Sequence, residues 1–285
     1  MRYKYIFAVL FSALLYLCCA AASIPNAAFQ PLTEQNEEAV IAPQSDTPQA
    51  QDIVPLIYDI GKGLIAETPA LSDMSDVVSK MIAVQPLQQL PELPTGCEVV
   101  SLTAVLHHLG YDIDKLTLAR DYLPKLPFHR SGGKLYGADF TTTFAGDPES
   151  DHGYGCYAPC ITQTANSYLA HIGSADMAVD ITGAALEELL RYYICRDIPV
   201  IVWITSDGLH EPKLTDSWLT PDGEEVQWLA YEHCVVLIGF DREHGLIFVA
   251  DPQRYITAYD IELFELRYND MGGQAVYIDR SGAAK

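Results

Sequence analysis

Basic residues are scarce in this chain of 285 residues. It holds 17 lysines and arginines against 38 aspartates and glutamates, which gives a formal net charge of −21 at pH 7. Nucleic acids and anionic membrane surfaces attract proteins through positive charge, so both repel a chain of this composition. We therefore expect no nucleic-acid partner, and contact with a membrane only through an uncleaved N-terminal segment.

The chain also lacks the duplicated, closely spaced ligands of a zinc site. His152, Cys156 and Cys160 follow one another at intervals of four residues, which supplies three ligands at a spacing wider than zinc sites usually show. A disulfide between Cys156 and Cys160, or two unpaired buried thiols, fits this spacing better. The sequence therefore predicts no metal and no cofactor.

The first 22 residues have the pattern of an export signal. Arg2 and Lys4 precede an apolar stretch over residues 6–17, and small residues at 20–22 provide a cleavage site before Ser23. The apolar stretch is short for a membrane-spanning helix. We predict a signal peptide (1–22), a flexible spacer (23–52), an N-terminal extension (53–84) and one domain (85–280). The protein is then extracellular, either secreted or at the cell surface.

A cysteine stands where a helix is predicted to begin. Thr95 and Glu98 have the spacing of a capping box, which makes Thr95 the N-cap, and Gly110 is a stop signal. Cys97 then lies in the first turn, where unpaired N–H groups and the helix dipole favour a thiolate. Five cysteines follow the signal peptide, and this odd number leaves at least one thiol unpaired. Cys97 is the candidate nucleophile, although a buried structural cysteine is the alternative.

A hairpin further along the chain carries a histidine and an aspartate. Two apolar runs, after His233 and before Asp251, flank a polar turn that ends in Gly245. A turn centred near Arg242 would put His233 and Asp251 opposite each other, within reach of a side-chain hydrogen bond. An imidazole oriented by a carboxylate is the general base of a catalytic triad. Read separately, the two residues could also be a surface histidine and a turn aspartate.

An oxyanion hole needs hydrogen-bond donors beside the nucleophile. The backbone N–H of Cys97 is one. Gln89, on the proline-rich approach to the helix, is the predicted side-chain donor, with Gln88 and Gln85 as alternatives.

The order of elements predicts an α+β fold. Helical segments dominate up to residue 195, and short apolar strands follow, with one more helix after Asp260. Within the helical part, residues 124–158 form a loop rich in glycine, proline and aromatic residues, which we interpret as a wall of the substrate cleft.

This chain resembles the bacterial C39-like cysteine peptidases, which are relatives of the bacteriocin-leader-processing peptidases within the papain-like superfamily. The matching stretches are Gln89 with Pro-Glu-Leu-Pro-Thr-Gly-Cys-Glu (91–98), Gly-Tyr-Gly-Cys-Tyr-Ala-Pro (153–159), Ile-Pro-Val-Ile-Val-Trp (198–203), Glu-His-Cys-Val-Val-Leu-Ile-Gly (232–239) and Met-Gly-Gly-Gln-Ala-Val-Tyr-Ile (271–278). The resemblance implies a papain-like fold, with the nucleophile at a helix start packed on a small antiparallel sheet that carries the histidine and aspartate. It also implies Cys97 as nucleophile, His233 as base, Asp251 as the orienting carboxylate and Gln89 as the oxyanion donor.

The expected function is that of an exported cysteine peptidase, a hydrolase whose partner is a peptide or protein substrate. A papain-like acyltransferase with the same triad is an alternative, since an amine can replace water in the second step. A second alternative is a non-catalytic surface module that binds peptides in the same cleft.

Overall fold

The computed structural model of the protein describes residues 76–280. The predicted signal peptide, the spacer and most of the N-terminal extension lie outside these residues, and the predicted domain bounds stay predictions. Within residues 76–280, none of the helices has both the length and the apolar character needed to cross a bilayer.

The strands are β1 (Ser79–Met81), β2 (Lys125–Leu126), β3 (His129–Ser131), β4 (Lys134–Tyr136), β5 (Phe144–Ala145), β6 (Met177–Asp180), β7 (Val200–Thr205), β8 (Lys213–Leu219), β9 (Glu225–Ala230), β10 (Glu232–Asp241), β11 (Leu246–Asp251), β12 (Tyr255–Asp260) and β13 (Ala275–Asp279). The helices are α1 (Cys97–His108), α2 (Lys115–Asp121), α3 (Ala158–His171), α4 (Leu186–Tyr192), α5 (Ser206–Leu209) and α6 (Ile261–Asp270), and Ile194–Arg196 forms a 3₁₀ turn.

A seven-stranded antiparallel sheet forms the centre of the fold. Its order is β12-β11-β10-β7-β13-β6, and β1 also pairs with β10. Strand β10 is the longest member, because β7 pairs with residues 232–237 and β1 with residues 239–241 along the same edge. Its valine-rich run is buried, as is typical of a strand covered on both faces.

Helix α1 packs on β10 and is enclosed on all sides. Its residues 97–106 are all buried, and the helix also contacts β7, α2 and α3. The helical spacing of Val99, Leu102, Leu106 and Leu109 predicts a single apolar stripe on this helix. The structure buries the polar side chains between the apolar ones as well, and each finds a partner: Ser101 Oγ donates to the Cys234 carbonyl at 3.1 Å, and Thr103 Oγ1 to the Val99 carbonyl at 2.7 Å.

A smaller four-stranded sheet, β3-β4-β8-β9, covers a second apolar cluster. Trp218 and Trp228, from β8 and β9, form its centre and contact aromatic side chains of residues 124–158, among them Phe128, Phe140 and Tyr154. The sequence predicted a loop here, but the segment holds the short strands β2 to β5. Strands β8 and β9 are inserted between β7 and β10, so this sheet joins the main one directly before His233.

The predicted α+β fold class is confirmed, and most of the predicted elements are present with ends shifted by a few residues. The helix predicted over residues 184–195 is shorter, since α4 ends at Tyr192 and a 3₁₀ turn follows. Asp260 caps α6 as predicted, because its side chain accepts from the Leu263 N–H at 3.0 Å. The sequence predicted β7 and β10 to β13, but not β1 to β6, β8 or β9.

Candidate active site

Cys97 is the first residue of α1, as the sequence predicted, but the predicted capping box is wrong. The N-cap is Gly96, and no side chain caps the helix. Thr95 Oγ1 instead bonds the carbonyl of Ser150 at 3.1 Å, and Glu98 turns away to a neighbouring loop. These long-range bonds tie the helix start to the loop over residues 147–156, and they take the two side chains that a local cap would have used.

The Cys97 thiol has two hydrogen-bond partners in the described part of the chain. The Cys234 backbone N–H donates to Sγ at 3.4 Å, and the thiol itself donates to Glu98 Oε2 at 3.4 Å. The side chain is buried, with 5% of the residue exposed. The first contact puts the sulfur against the backbone directly after His233, although His233 is not among its hydrogen-bond partners.

The expected thiolate is not the resting form of this thiol. Burial raises the pKa of Cys97 well above its usual value, and the negative charges of Glu98 and Glu232 raise it further. The N–H of Cys234 lowers it by less. The thiolate expected from the helix start is therefore not favoured, first because the sulfur is buried and then because two carboxyls lie beside it.

Glu98 and Glu232 form an acidic pair beside the thiol, in which Glu98 is buried and Glu232 is half-buried. Glu98 is fully buried, and its Oε1 accepts the Cys156 N–H at 2.7 Å. Oxygens of both carboxyls and the Cys97 sulfur all lie within 4.8 Å of one another. Burial raises the pKa of Glu98 to about 7, and burial together with the charge of Glu98 raises the pKa of Glu232 well above its usual value.

Gly155 lets the acidic pair pack against the backbone. A Cβ at this position would come within 2.5 Å of Glu98 Oε1 and 3.0 Å of both Glu232 Oε2 and the Trp228 ring. Only a residue without a side chain fits there.

His233 and Asp251 form a buried hydrogen-bonded pair. His233 Nε2 lies 2.9 Å from Asp251 Oδ1, and each residue is 1% exposed. Asp251 also accepts from the Gln253 N–H at 2.7 Å and from the Tyr259 hydroxyl at 3.4 Å. Burial alone would raise the pKa of Asp251, but the hydrogen bond from His233 and these other donors hold it below its usual value.

The predicted register of this hairpin is wrong, although the contact is present. Val236 pairs with Ala250, and an irregularity between Leu237 and Gly239 shifts the register by one residue. Continuing the pairing by one step puts Asp251 beside Val235, two residues from His233. The two side chains therefore meet diagonally, which long side chains can span.

The hydrogen bond fixes the form of the histidine. A carboxylate accepts hydrogen bonds, so Nε2 carries the proton that Asp251 binds. In the neutral ring the other nitrogen, Nδ1, then has a free lone pair. That atom is buried and has no hydrogen-bond partner among the described residues. Nδ1 of His233 can therefore accept a proton.

Gln89 lies on the segment that joins the Asp251 turn to the start of α1. Its backbone N–H donates to the Pro252 carbonyl at 3.0 Å, and its side-chain Nε2 donates to the Pro94 carbonyl at 2.7 Å. One amide proton is left over, and the residue is 2% exposed. Of the two alternatives, Gln88 donates to the Asp251 carbonyl at 3.4 Å and Gln85 is exposed.

The remaining cysteines, Cys156, Cys160, Cys195 and Cys234, are buried and unpaired, so the suggested Cys156–Cys160 disulfide is not formed. Among residues 76–280, the group whose donor atoms lie close enough to share one ion is Cys97, Glu98 and Glu232. The raised pKa values of these groups mean that an ion would have to displace protons before it could bind there.

Glu98 and Glu232 are the site residues that sequence reasoning missed. The sequence assigns Glu98 to a helix cap, and Glu232 only to a place beside Asp241 as an alternative to Asp251 as orienting residue. The signal was present, because each stands next to a predicted catalytic residue within an otherwise apolar stretch. Buried carboxylates of this kind are rare without a specific role.

Comparisons with known proteins identify the family of this chain. Residues 81–276 match the model of the Peptidase C39 like family. A protein of Bacillus subtilis (strain 168), described as uncharacterized protein YvpB, is 33% identical over 191 residues, which are 67% of this chain and 71% of that protein.

Two solved structures are also similar. A C39-like peptidase candidate from Bacillus anthracis, known from a crystal structure, is 32% identical with a TM-score of 0.60, over 70% of this chain and 96% of its own. The peptidase domain of Streptococcus ComA, a bifunctional ABC transporter of a quorum-sensing pathway, is 15% identical with a TM-score of 0.41, over 70% of this chain and 99% of that one. The Bacillus anthracis structure confirms the fold that the resemblance implied.

Proposed function

The chain belongs to the Peptidase C39 like family, and from this membership we propose that it is an exported cysteine peptidase that cuts peptide or amide bonds through an acyl-thioester on Cys97. The family and the fold support a peptidase-type function in general. The observation that carries the finer proposal is the buried hydrogen bond between His233 Nε2 and Asp251, which leaves Nδ1 free to take a proton.

The first half-reaction transfers the acyl group to sulfur. Nδ1 of His233 takes the Cys97 proton, and the sulfur attacks the carbonyl carbon, so that a C–S bond forms and the carbonyl electron pair moves to oxygen. The resulting oxyanion is stabilised by the Cys97 N–H, which has no partner within the helix, and by the remaining Gln89 amide proton. As the intermediate collapses, the C–N bond breaks and the amine leaves with the proton held by His233.

In the second half-reaction, water attacks the thioester. His233 takes a proton from the water, the C–S bond breaks, and the acid product leaves while Cys97 regains its proton from His233. Asp251 orients the imidazole throughout and stabilises its positive form by hydrogen bond and charge. An acyltransferase differs in this half alone, because an amine takes the place of water.

Cleavage of a peptide library by the secreted protein, followed by mass spectrometry, tests the proposal. A hydrolase yields pairs of products whose masses sum to that of the substrate plus one water. An acyltransferase yields, in the presence of added amine, products that carry the amine. Binding without any new product would indicate the non-catalytic module.

Gln89→Ala is expected to lower kcat by about 10² to 10³, the usual loss when one oxyanion donor is removed, with a smaller change in KM. Steady-state kinetics on a cleaved peptide measure both. Gln85→Ala, in an exposed position, is the matched control and is expected to keep the wild-type rate. A Gln89→Ala enzyme with unchanged kcat would show that this amide does not contact the oxyanion.

The exported protein is expected to begin at Ser23 or within a few residues of it, with no lipid on Cys18 or Cys19. Cys18 follows Leu17 and Cys19 follows Cys18, whereas lipoprotein signals place a small residue before the modified cysteine. The intact mass of the protein recovered outside the cell measures this. A mass increase the size of a diacylglycerol would instead identify a lipoprotein.

A further inference from the structure

The proposed mechanism leaves Glu98 and Glu232 without a role, although they are the polar groups closest to the nucleophile. Glu98 accepts the hydrogen bond of the Cys97 thiol, and Glu232 completes a group of three donor atoms within 4.8 Å. Burying two carboxyls together is costly unless something is gained, because buried charges need partners. Here Glu98 has two partners, the Cys156 N–H at 2.7 Å and the reactive sulfur at 3.4 Å.

We infer that Glu98 is a positioning residue that holds the Cys97 thiol in its neutral resting form, and that the acidic pair formed with Glu232 must bind a proton before Cys97 becomes fully reactive. The inference rests on the proposed nucleophile. It adds a regulation of the same site by pH.

The geometry favours a resting thiol. While Glu98 is ionised, its Oε2 accepts the S–H hydrogen bond and its charge opposes a second negative charge on sulfur 3.4 Å away. Once Glu98 is protonated, the same oxygen can donate a hydrogen bond to the thiolate. The Cys156 N–H keeps the carboxyl in place in both states, because it binds the other oxygen, Oε1, at 2.7 Å.

The groups that face Glu98 from each neighbouring element strengthen this effect. Cys97 lies on its own helix, Glu232 and Cys234 come from β10, and Cys156 and Tyr157 come from the segment before α3. Burial is the largest cause that raises the pKa of Cys234, Cys156 and Tyr157. Cys160 is the next cause for Cys156, and the charges of Glu98 and Glu232 raise the pKa of all three further.

No lysine or arginine is among the groups that shift the pKa of Cys97, Glu98 or Glu232 in the described part of the chain. The pair therefore has no cation beside it. His233, adjacent to Glu232 in sequence, donates its Nε2 proton to Asp251 on β11. Protonation is the simplest way in which the pair can lose its charge.

The pair is expected to titrate as a unit. Two carboxyls this close cannot both ionise at their usual pKa, so the first charge suppresses the second. Burial raises the pKa of Glu98 to about 7, which puts the change near neutral pH. Below that range the sulfur faces a neutral pair, and above it an anionic one.

Alkylation kinetics test the inference without any peptide substrate. Wild type, Glu98→Gln, Glu232→Gln and the double variant are treated with iodoacetamide from pH 5 to 10, and the rate is followed on the tryptic peptide that holds Cys97. Glu98→Gln is a conservative change, because its Oε1 can still accept from Cys156 and its amide can donate to the sulfur. Glu225→Gln, at an exposed position on β9, is the control.

The apparent pKa of Cys97 is expected to fall by about one unit or more in Glu98→Gln, which makes alkylation at pH 7.5 roughly tenfold faster. Glu232→Gln is expected to shift it less, since Glu98 holds the direct hydrogen bond. The double variant is expected to shift it by more than the sum, because either carboxyl left alone ionises more readily. Glu225→Gln is expected to behave like wild type.

An unchanged or slower alkylation of Cys97 in both Glu98→Gln and the double variant, with folding confirmed by circular dichroism, would overturn the inference. Failure of the proposed function looks different. If the protein cleaves no peptide but shows the shifted alkylation profile, control of the thiol by Glu98 is supported and the assignment as a peptidase is not. Cys195, buried on a distant 3₁₀ turn, gives an internal reference whose rate these variants are not expected to change.

Discussion

His233→Ala is expected to lower the rate of peptide cleavage by about 10² to 10⁴, the usual contribution of a positioned general base. The free Nδ1 atom of His233 is the base that the proposed mechanism requires, and alanine offers no replacement. Initial rates on a cleaved peptide, measured with enzyme whose folding is verified by circular dichroism, give the size of the loss.

The matched control is His244→Ala on the same hairpin. His244 Nδ1 also bonds an aspartate, Asp241 Oδ2, at 2.8 Å, but its side chain is two-thirds exposed. This variant is expected to keep the wild-type rate. Equal losses in the two variants would show that the hairpin as a whole, rather than the buried histidine, is what activity requires.

The cleavage rates of Asp251 variants are expected to lie between those of His233→Ala and His244→Ala. Asp251→Asn keeps a side chain that can hold the imidazole but removes the charge that stabilises its positive form, so activity is expected to drop and persist. Asp251→Ala also leaves the donors of His233 and Gln253 without an acceptor, and is expected to lose more. A folded and fully active Asp251→Ala enzyme would contradict the assignment of Asp251 as orienting residue.

Sequence patterns within a single helix or hairpin were sufficient to predict those elements. The body of α1 follows from the spacing of its apolar residues, and its end from Gly110, which adopts a positive φ of 92° directly after the C-cap Leu109. The capping box that predicted its start is not formed. The hairpin of β10 and β11 follows from two apolar runs around a polar turn. Proximity of Cys97 to the strand that carries His233 came from the family resemblance, since no local pattern relates residues so far apart in sequence.

The register of the hairpin was predicted wrongly mainly because the turn is centred between residues 243 and 244, where Asp241 pairs with Leu246, and not near Arg242. An irregularity near Gly239 then changes the register by one residue. A Cβ on Gly239 would meet the carbonyl of Lys80 at 2.5 Å, since β1 packs against β10 at this point. The residue type at 239 is thus decided by a strand from the start of the described region. A pattern read within residues 233–251 does not contain that information.

The strands of the smaller sheet were missed for a similar reason. Strands β8 and β9 are largely exposed along their length and bury mainly Trp218 and Trp228. With so few buried positions, the apolar and polar residues do not alternate clearly enough to predict a strand. Their core is completed by aromatic residues from the loop over residues 124–158, which the sequence interpreted as a wall of the cleft.

The sequence predicted a thiolate at Cys97, but burial of the sulfur, followed by the charges of the two carboxyls beside it, favours the neutral thiol. A helix end acts as a partial charge of about half a unit, whereas each carboxylate beside the sulfur carries a full charge when ionised. Burial weakens solvent screening and so enlarges both effects. The sequence shows Glu98 next to Cys97, but whether its carboxyl turns toward the sulfur depends on the Cys156 N–H, 58 residues away in sequence.

Cys97→Ala is expected to reduce cleavage by a factor on the order of 10⁶, the scale of loss when the nucleophile of a triad is removed. Cys156, Cys160, Cys195 and Cys234 are buried, and burial raises the pKa of the first, third and fourth.

The most direct test is to identify the atom that carries the acyl group during turnover. Wild type and Cys97→Ala are mixed with a cleaved peptide, quenched with acid during the first turnovers, and mapped by mass spectrometry. The proposal predicts an acyl group on the peptide that holds Cys97, released by hydroxylamine as a thioester is, and absent from Cys97→Ala together with cleavage. Cleavage by Cys97→Ala at the wild-type rate, or an acyl group on another residue, would contradict it.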